Sequence, residues 1–421
     1  MSFQPAYHIT HVYLDRQSDW LPPARVRQGN YVVFWWKAIA LGHLFIKPNQ
    51  ALLAEAYHTA LAAAISPAIE HYAGLQQASG TPWQAWLPEQ DYERWGAWME
   101  VLLSSWLPVA IPPQVPVSVI ICTRNRAAQL WRCLQQLHAL PCAPAEIVVV
   151  DNAPTDASTY ETTKAFSGVA YVRELRAGLD IARNTGIAMA QQPVVLFVDD
   201  DVIVHPWLLY SVWETFQEPT TAAITGLVIA LALQTEAQLI FEQCWSFNRG
   251  YVDKVYSPGF LQATRGQAPP VWEIGAGANM AFRKSVFEEV GYFDELLDAG
   301  AAGCSGDSEM WHRILAHGHS IRYVPRAVVF HEHREKMADL KRQLFYYVRG
   351  HAVAALIQHE QQPQEGYARR VFWTMPKMYA YLLVRGFPFF RFRSRTLWAE
   401  MKGLVAGMVY FYSHRKAKTP R

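Results

Sequence analysis

Residues 194–201 read VVLFVDDD, a short apolar run that ends in three adjacent aspartates. Such a run predicts a buried strand, and the carboxylates at its end repel one another and are partly desolvated. That arrangement is costly unless a cation or hydrogen-bond donors compensate the charge. In an extended chain Asp199 and Asp201 point to one side and Asp200 to the other, so the first and third could share a hard divalent ion. The alternative is an acidic turn or helix cap before His205.

The segments around this run alternate between strand and helix patterns. Strands are predicted at 117–122, 146–150, 170–174 and 194–198, and helices at 127–140 and 179–190. Such alternation predicts an α/β domain whose parallel sheet is covered by helices on both faces. Ligands of these sheets gather at the carboxyl ends of the strands. Polar residues follow three of the predicted strands, beginning at Thr123, Asp151 and Asp199.

The turn after the first predicted strand reads TRNR, residues 123–126, and opens a predicted helix. Backbone N–H groups at a helix start favour anions, and two arginines add positive charge. An exposed polar cap is the alternative. The turn lacks glycine, so it does not match a dinucleotide fingerprint, and the later GAG at 275–277 lacks the third glycine. Asp151 could accept a hydrogen bond from a ribose hydroxyl or a base N–H, or it could be a turn residue before Pro154.

Two later stretches also carry ionisable side chains. The sequence GDSEM at 306–310 begins a predicted helix whose buried side includes Met310 and Trp311. Asp307 would lie near that helix start, either as a general base close to an acceptor hydroxyl or as a carboxylate that satisfies the helix terminus. His331 and His333 follow the apolar run 327–330 and share one face, so they could ligate a metal, although a single histidine is more often structural.

Together these stretches resemble the family-two glycosyltransferases of the GT-A fold. The matching segments are VIICTRNR at 119–126, IVVVDN at 147–152, GLDIARNTG at 178–186, LFVDDD at 196–201, GANMAFR at 277–283, GDSEM at 306–310 and the stretch 323–331. They occur in the family's order, which makes the pattern specific although no single segment is. The resemblance implies a single Rossmann-like, mostly parallel sheet with flanking helices at 114–335.

The resemblance also implies roles for individual residues. The residues that would contact the nucleotide sugar are Thr123, Arg124, Arg126, Asp151, Arg183, Asp199, Asp200, Gly277 and Asn279. Asp199 and Asp201 would hold a divalent ion, Mn²⁺ or Mg²⁺, on the donor diphosphate, with His331 as a further ligand. Asp307 would be the general base. Gly306 stands where the family usually has a second acid, which departs from the pattern.

The implied activity is inverting transfer of a single sugar from a nucleotide-diphospho-sugar to a hydroxyl of a glycan or lipid-linked acceptor. Synthesis of a polysaccharide, glycolipid or cell-envelope glycan would need such a step. The Gln-x-x-Arg-Trp motif of processive synthases does not follow Gln343, which argues for single transfer. A sugar-phosphate nucleotidyltransferase would share the sheet but should have a glycine-rich loop after the first strand. A catalytically inactive nucleotide-sugar-binding or membrane-associated scaffold would keep the fold, but intact aspartates at 199, 201 and 307 argue against it.

Two regions lie outside the resemblance. The first, 1–113, is predicted to be α+β with a β-hairpin within 31–46, helices at 51–69 and 91–106, and no catalytic pattern; a proline-rich linker is expected at 109–117. The second, 336–421, is helical, aromatic and basic. From residue 366 onward it has twelve Lys or Arg and one acid, Glu400, a charge of +11 in a chain whose net charge is +2. The rest of the chain is therefore at −9.

A basic, aromatic tail on an acidic body predicts peripheral contact with an anionic membrane surface. Lys377, Arg385, Pro376 and Pro388 interrupt the segment 371–390, so it should not span. The alternative is that these aromatics pack on the catalytic domain. Nucleic acid is not an expected partner because the catalytic body is acidic. The absence of a signal pattern in 1–10 and five scattered cysteines predict a cytoplasmic protein, held at the inner face of the membrane where the tail makes contact.

Overall fold

The computed structural model describes residues 6–16, 20 and 27–414. Its N-terminal region contains β1 (Tyr7–Tyr13), β2 (Gly29–Trp36), β3 (Ile39–Ile46), α1 (Ala54–Leu75), α2 (Trp83–Trp86) and α3 (Tyr92–Leu103). β2 pairs in parallel with β1 and antiparallel with β3, so the predicted hairpin is confirmed. Every residue of β2 is buried because both of its faces are covered. It shares a core with Leu227, Ile229 and Val328 of the main sheet.

The second region alternates strands and helices as predicted. Its elements are β4 (Gln114–Thr123), α4 (Ala127–His138), β5 (Ala143–Asn152), α5 (Ser158–Lys164), β6 (Val169–Glu174), α6 (Leu179–Met189), β7 (Val194–Val198), β8 (Val202–Val204), α7 (Leu208–Thr215), β9 (Thr221–Ala230), α8 (Glu236–Trp245), β10 (Lys254–Tyr256), α9 (Pro258–Ala263), β11 (Asn279–Arg283), α10 (Val286–Val290), α11 (Gly306–Ala316) and β12 (Ser320–His331). The expected linker at 109–117 ends early, because β4 already begins at Gln114.

The strands of this region form one sheet in the order β10-β12-β9-β11-β7-β4-β5-β6, with β8 added to β12. The pairs β7–β4, β4–β5, β5–β6 and β9–β12 are parallel, whereas β11 runs antiparallel between β7 and β9. The predicted α/β class is confirmed. The parallel half brings the carboxyl ends of β4, β5 and β7 to one edge, and antiparallel β11 begins at that same edge because Asn279 pairs with Val198.

Helices cover both faces of this sheet. Alternate residues of β4 face opposite sides: Val119 and Ile121 pack with α4, whereas Ile120 packs with α6 and α11. The side chains of Met310 and Trp311 on α11 are fully buried, as the spacing predicted. Burial of each large apolar side chain contributes about 1.5–3 kcal/mol, so the two layers fix the strand ends firmly.

The C-terminal region is helical, as predicted. It comprises α12 (Met337–Gln361), α13 (Tyr367–Arg369), a π-helical turn (Arg370–Thr374), α14 (Met375–Gly386) and α15 (Leu397–His414). α15 lies along α12, where Gly403 and Gly407 allow close approach to the backbone of Phe345 and Arg349. No helix in the described part of the chain has the length and hydropathy to cross a membrane. The tail cations at positions 415, 416, 418 and 421 and the segment 1–5 lie outside the described residues.

Cys122 and Cys244 lie in apolar stretches of the sequence, which predict buried thiols, but neither side chain is fully buried. Cys122 is partly buried, and Cys244, near the end of α8, is exposed.

Candidate active site

A cavity of about 1190 Å³ opens where β4 and β7 end. It collects most of the residues that the sequence singled out: Thr123, Arg124, Arg126, Arg183, Asp199, Asp200, Asp201, Gly277, Asp307 and His331. Of the residues expected to bind the donor, Asp151 and Asn279 do not line it, and neither does His333, the second candidate histidine. The parallel sheet therefore brings together side chains that are up to 208 positions apart in the sequence.

The TRNR turn holds the second aspartate of the DDD run. Thr123 Oγ1 donates to Asp200 Oδ2 at 2.6 Å, and Arg126 Nη1 donates to Asp200 Oδ1 at 2.5 Å. The same Arg126 nitrogen also reaches Asp201 Oδ2 at 3.1 Å. β7 ends at Val198 and residues 200 and 201 lie in a turn. The strict alternation expected for an extended chain therefore does not hold, since neighbouring carboxylates share one guanidinium.

The aspartates differ in their electrostatics. Burial, followed by the negative charge of Asp201, raises the pKa of Asp199 to about 7. Burial also opposes ionisation of Asp201, but neighbouring positive groups that include Arg126 and Arg334 bring its pKa below the usual value. Near neutral pH Asp201 is ionised and Asp199 only partly so. A bound cation would favour the ionised form of Asp199.

His331 reaches the cavity from the end of β12. Its Nδ1 lies 3.0 Å from Nδ1 of His333, whose Nε2 lies 2.9 Å from Glu242 Oε2. Tyr31 of β2 donates its hydroxyl to the other oxygen of Glu242 at 3.4 Å. Burial, and then the neighbouring His333, lower the pKa of His331 to about 3, so its imidazole is neutral at physiological pH. A chain of polar contacts thus joins the N-terminal sheet to the cavity.

A buried ion network supports the opposite wall. Arg183 Nη1 donates to Asp180 Oδ1 at 2.8 Å and also to Asp298 Oδ2. Burial opposes the charge of Arg183, but the two carboxylates hold its pKa above the usual value. A Cβ on Gly306 would collide with the Asp180 carboxylate. The Asp180 carboxylate, which comes from a different helix, therefore occupies the space that a side chain at position 306 would need.

Asp307 lies at the first turn of α11 and faces the cavity. Its Oδ2 accepts from Gly277 N at 2.8 Å, and its Oδ1 accepts from Ser308 N at 2.7 Å. Burial, followed by the negative charge of Asp298, raises the pKa of Asp307. Two backbone donors therefore fix the direction of a carboxylate whose basicity is increased, which suits a proton acceptor.

The two predicted donor-binding residues outside the cavity are held within the sheet. Asp151 is fully buried at the end of β5, where its Oδ2 accepts from the Tyr171 hydroxyl at 2.8 Å. Asn279 is also buried, and its Nδ2 donates to Ala327 O at 2.9 Å and to Leu227 O at 3.3 Å. Asn279 thus bridges β9 and β12 beneath the cavity. Its contact with the cavity is made by the preceding residues, Gly277 and Ala278.

Comparison with known proteins finds glycosyltransferases that are similar to this chain. Residues 118–291 match the model of the family described as glycosyl transferase family 2. The pre-mycofactocin glycosyltransferase of Mycobacterium tuberculosis (strain CDC 1551 / Oshkosh) is 27% identical over 253 residues, 58% of this chain and 50% of that protein. Glycosyltransferase AglE of Haloferax volcanii is 26% identical over 236 residues, 54% of this chain and 70% of that protein. The chain spans about half the length of the first of these relatives.

Among solved structures, a mannosyltransferase from Pyrobaculum calidifontis in complex with GDP-mannose and Mn²⁺ is similar over 82% of this chain and 99% of that chain. The sequence identity is 18% and the TM-score 0.48. At that TM-score the likeness carries neither the fold nor the ligands over to this chain.

Proposed function

We propose, from the match of residues 118–291 to the glycosyl transferase family 2 model, that this chain transfers a single sugar from a nucleotide-diphospho-sugar to an acceptor hydroxyl with inversion. The observation that carries the proposal is the carboxylate of Asp307, oriented by Gly277 and Ser308 in the cavity that also holds the three aspartates. Donor and acceptor would meet beside Asp307. The family supports the reaction type, and the geometry supports the roles.

The donor would occupy the end of the cavity at β4 and β7. Thr123, Arg124 and Arg126 offer hydrogen-bond donors and positive charge to the nucleotide there. Arg183 and Gly277 would lie beside the sugar, since they line the wall between the aspartates and Asp307. Asp199 and Asp200 would face the diphosphate. The buried side chains of Asp151 and Asn279 would support the nucleoside and sugar positions from within the sheet.

The protein's own ligand residues could hold a divalent ion, Mn²⁺ or Mg²⁺, only if the bound substrate supplies further ligands. Among the described residues no three His, Cys, Asp or Glu side chains are grouped closely enough to hold an ion alone. Mg²⁺ typically takes one or two carboxylates and completes its shell with waters and substrate phosphates. Asp199 and Asp201 provide that pair, with His331 as a further ligand, and the raised pKa of Asp199 indicates a carboxylate without full compensation. A bound ion would stabilise negative charge on the departing diphosphate.

Asp307 would accept the proton of the acceptor hydroxyl as its oxygen forms a bond to the anomeric carbon. The bond from that carbon to the diphosphate breaks at the same time, on the opposite face, so the configuration inverts. A positioned base contributes about 10²–10⁴-fold to such a step. Arg183 pairs with Asp298, and the charges of both residues act on Asp307. This pairing would limit the repulsion between the Asp298 and Asp307 carboxylates.

The test is incubation with a panel of nucleotide sugars and acceptors, with Mn²⁺ or Mg²⁺ and with a chelator. Metal-dependent release of nucleoside diphosphate and an inverted anomer by NMR are expected. Pyrophosphate released from a nucleoside triphosphate would instead support a nucleotidyltransferase. Donor binding without turnover under every acceptor condition would support an inactive scaffold.

We further propose peripheral contact with the inner face of a membrane through the outer side of α14 and the residues after it. Val371, Met375 and Tyr379 point inward and are buried. The outer side exposes large apolar residues, which we call the aromatic surface: Phe372, Trp373, Tyr381, Val384, Phe387 and Phe389. Exposed cations flank it at Arg369, Lys377, Arg385 and Arg391. Aromatics with interspersed cations suit an anionic interface. Packing on the rest of the protein explains only the buried side chains on the inner side of α14.

A further inference from the structure

The cavity extends beyond Asp307, and different kinds of side chains line it there. Its far end is lined by apolar and aromatic side chains: Trp245, Trp272, Met375, Met378 and Tyr379. Arginines line the same end, whereas the aspartates lie at the donor end. We call the end beyond Asp307 the far chamber. A nucleotide sugar held at the aspartates would not occupy the far chamber, so a second ligand could bind there.

Three arginines of the far end lack a carboxylate partner. Arg249, Arg349 and Arg370 line the cavity, and none of them forms an ion pair with another residue of the described chain. By contrast, Arg393 at the same end is neutralised by Glu400 at 2.6 and 2.8 Å. At the donor end, Arg126 is paired with Asp200. Arg124 at the donor end also has no ion pair with a described residue, but it is exposed, so the cavity arginines that are both unpaired and partly buried are Arg249, Arg349 and Arg370.

The guanidinium groups of Arg249 and Arg370 are held in place by neutral groups. Arg249 donates to the carbonyls of Ser246 at 2.6 Å and Trp272 at 3.1 Å, and its Nε is buried without a hydrogen-bond partner. Arg370 donates from Nε to His351 Nε2 at 3.0 Å, and its guanidinium lies 3.9 Å from the centre of the Trp272 ring. Burial lowers the pKa of both arginines. Oriented, desolvated cations of this kind are suited to an anion, above all to phosphate.

The far chamber also leads to the aromatic surface. Met375 and Tyr379 face the chamber from α14 and are buried, whereas Met378 on the same helix is exposed and lines its rim. An apolar chain that leaves the chamber over Met378 would reach Trp373 and Tyr381 on the outer side of α14. A ligand with one anionic group and one apolar chain therefore matches both the charge and the outlet.

We propose that the far chamber binds the acceptor, and that the acceptor is a hydroxyl-bearing unit joined through phosphate to an apolar chain. The phosphate lies against Arg370 and Arg249, the hydroxyl-bearing unit extends toward Asp307, and the chain leaves over Met378. This assignment rests on the proposed function, because it needs the donor at the opposite end of the cavity. It narrows the acceptor to a lipid-linked class.

The experiment measures the binding of three probes to the full chain by titration of tryptophan fluorescence. Farnesyl phosphate carries both features, farnesol carries the chain alone, and inorganic phosphate carries the anion alone. We expect farnesyl phosphate to bind at least about tenfold more tightly than either partial probe, since a charged hydrogen bond and chain burial both contribute. Arg370→Gln should reduce farnesyl phosphate binding to the level of farnesol.

The matched control is Arg94→Gln, because Arg94 also stacks on an indole, 4.4 Å from the Trp86 ring, but lies in the N-terminal region. It should leave the binding of all probes unchanged. If Arg370→Gln loses the native fold, Met378→Glu replaces it. That exposed rim variant should weaken farnesyl phosphate without changing phosphate binding.

Equal affinity for farnesyl phosphate and farnesol would overturn the anion site, and equal affinity for farnesyl phosphate and inorganic phosphate would overturn the apolar outlet. Binding of nucleoside diphosphate with Mn²⁺ is measured on the same samples. A protein that binds the nucleotide but not farnesyl phosphate refutes the acceptor assignment and leaves the proposed function intact. Absence of nucleotide binding would refute the proposed function instead.

Discussion

The Nδ1 atoms of His331 and His333 lie 3.0 Å apart, so one of these nitrogens must donate and the other accept. The Nε2 of His333 lies 2.9 Å from a carboxylate oxygen of Glu242. An ionised carboxylate can only accept a hydrogen bond. In the tautomer of His333 that carries its ring proton on Nε2, toward Glu242, Nδ1 is the acceptor, and His331 donates from Nδ1. The lone pair of His331 is then on Nε2, which is the form required of a metal ligand.

The first prediction concerns this histidine pair. His333→Phe keeps an aromatic ring but removes the partner of His331 Nδ1, so the tautomer is no longer fixed. We expect the affinity for Mn²⁺, measured by electron paramagnetic resonance with nucleoside diphosphate present, to fall by about 10–100-fold. His43→Phe, which removes a histidine bonded to the Tyr251 hydroxyl, is the control. Unchanged Mn²⁺ affinity in a folded His333→Phe protein would contradict the assignment.

The second prediction concerns the acidity of Asp199. Because its pKa is raised to about 7, a metal ion must displace a proton from a large fraction of the molecules at neutral pH. Mn²⁺ affinity should therefore rise between pH 6 and pH 8, and binding should release protons. Calorimetry in buffers of different ionisation enthalpy counts those protons. Asp199→Asn should bind Mn²⁺ weakly and with no such pH dependence, and an Asp199→Asn protein that binds Mn²⁺ as tightly as the wild type would rule out Asp199 as a ligand.

The sequence identified the ends of β4, β5 and β7 well because these strands finish in the apolar runs 119–122, 147–150 and 194–198, each followed by polar residues. It did not identify β9 or β11. β9 is buried throughout although it contains Thr221, Thr225 and Gly226, and β11 begins at Asn279, so neither has a simple strand pattern. Gly226 is required there because a Cβ would collide with the Asn279 amide and the Ala327 carbonyl. Such close packing depends on the partner strand and is not visible in local sequence.

The supporting residues of the site were harder to predict than the residues that line it. Glu242 and His333 are 91 positions apart, and Arg183 and Asp298 are 115 apart. Each is unremarkable within its own segment, and only the folded chain brings the pairs into contact. Asp180 lay within a matching segment, but nothing local indicated that its carboxylate fills the space above Gly306. The contact of Tyr31 with Glu242 likewise depends on how the N-terminal sheet packs.

The third prediction tests the close contact between Gly306 and the Asp180 carboxylate. Gly306→Ala would place a methyl group against the Asp180 carboxylate, which is held by Arg183. We expect the free energy of unfolding, from urea denaturation, to fall by about 1–3 kcal/mol, as for other overpacked sites. Gly259→Ala is the control because its nearest neighbour, Ser257 Oγ, would be 3.4 Å away. Equal stability of the two variants would mean that the Asp180 carboxylate can move aside.

The fourth prediction separates catalysis by Asp307 from a structural role. Asp307→Asn should bind the donor nucleotide nearly as the wild type does, while kcat falls by about 10²-fold or more. In the wild type, the raised pKa of Asp307 means that the base becomes protonated at a higher pH than an ordinary aspartate. The rate should therefore fall on the acid side as pH decreases through that raised pKa.

Asp339→Asn removes another cavity carboxylate, one paired with Arg342 at 3.8 Å, and serves as the control for loss of charge. It should retain the rate of the wild type. Parallel losses of thermal stability and nucleotide affinity in Asp307→Asn would point to support of the helix start instead of base catalysis.

The last prediction concerns the aromatic surface. A truncation before α13 would be a poor test, because it removes buried Tyr367, Leu397 and Phe411 along with the surface. Substitution is cleaner: Trp373, Phe387 and Phe389 have exposed fractions of 67%, 75% and 72%, so changing all three to serine should leave the fold intact. We expect the wild type to float with anionic liposomes at low salt and the triple variant to remain in the soluble fraction.

Raised salt should weaken flotation of the wild type, because each cation near the surface contributes at most about 1 kcal/mol and that attraction is screened. The control replaces Leu53, Val101 and Val109 with serine, since these N-terminal side chains are similarly exposed but do not belong to an aromatic surface. Equal flotation of the wild type and the triple variant would locate membrane contact elsewhere. Flotation that survives high salt but is lost in the triple variant would assign the binding to aromatic insertion, with the cations contributing little.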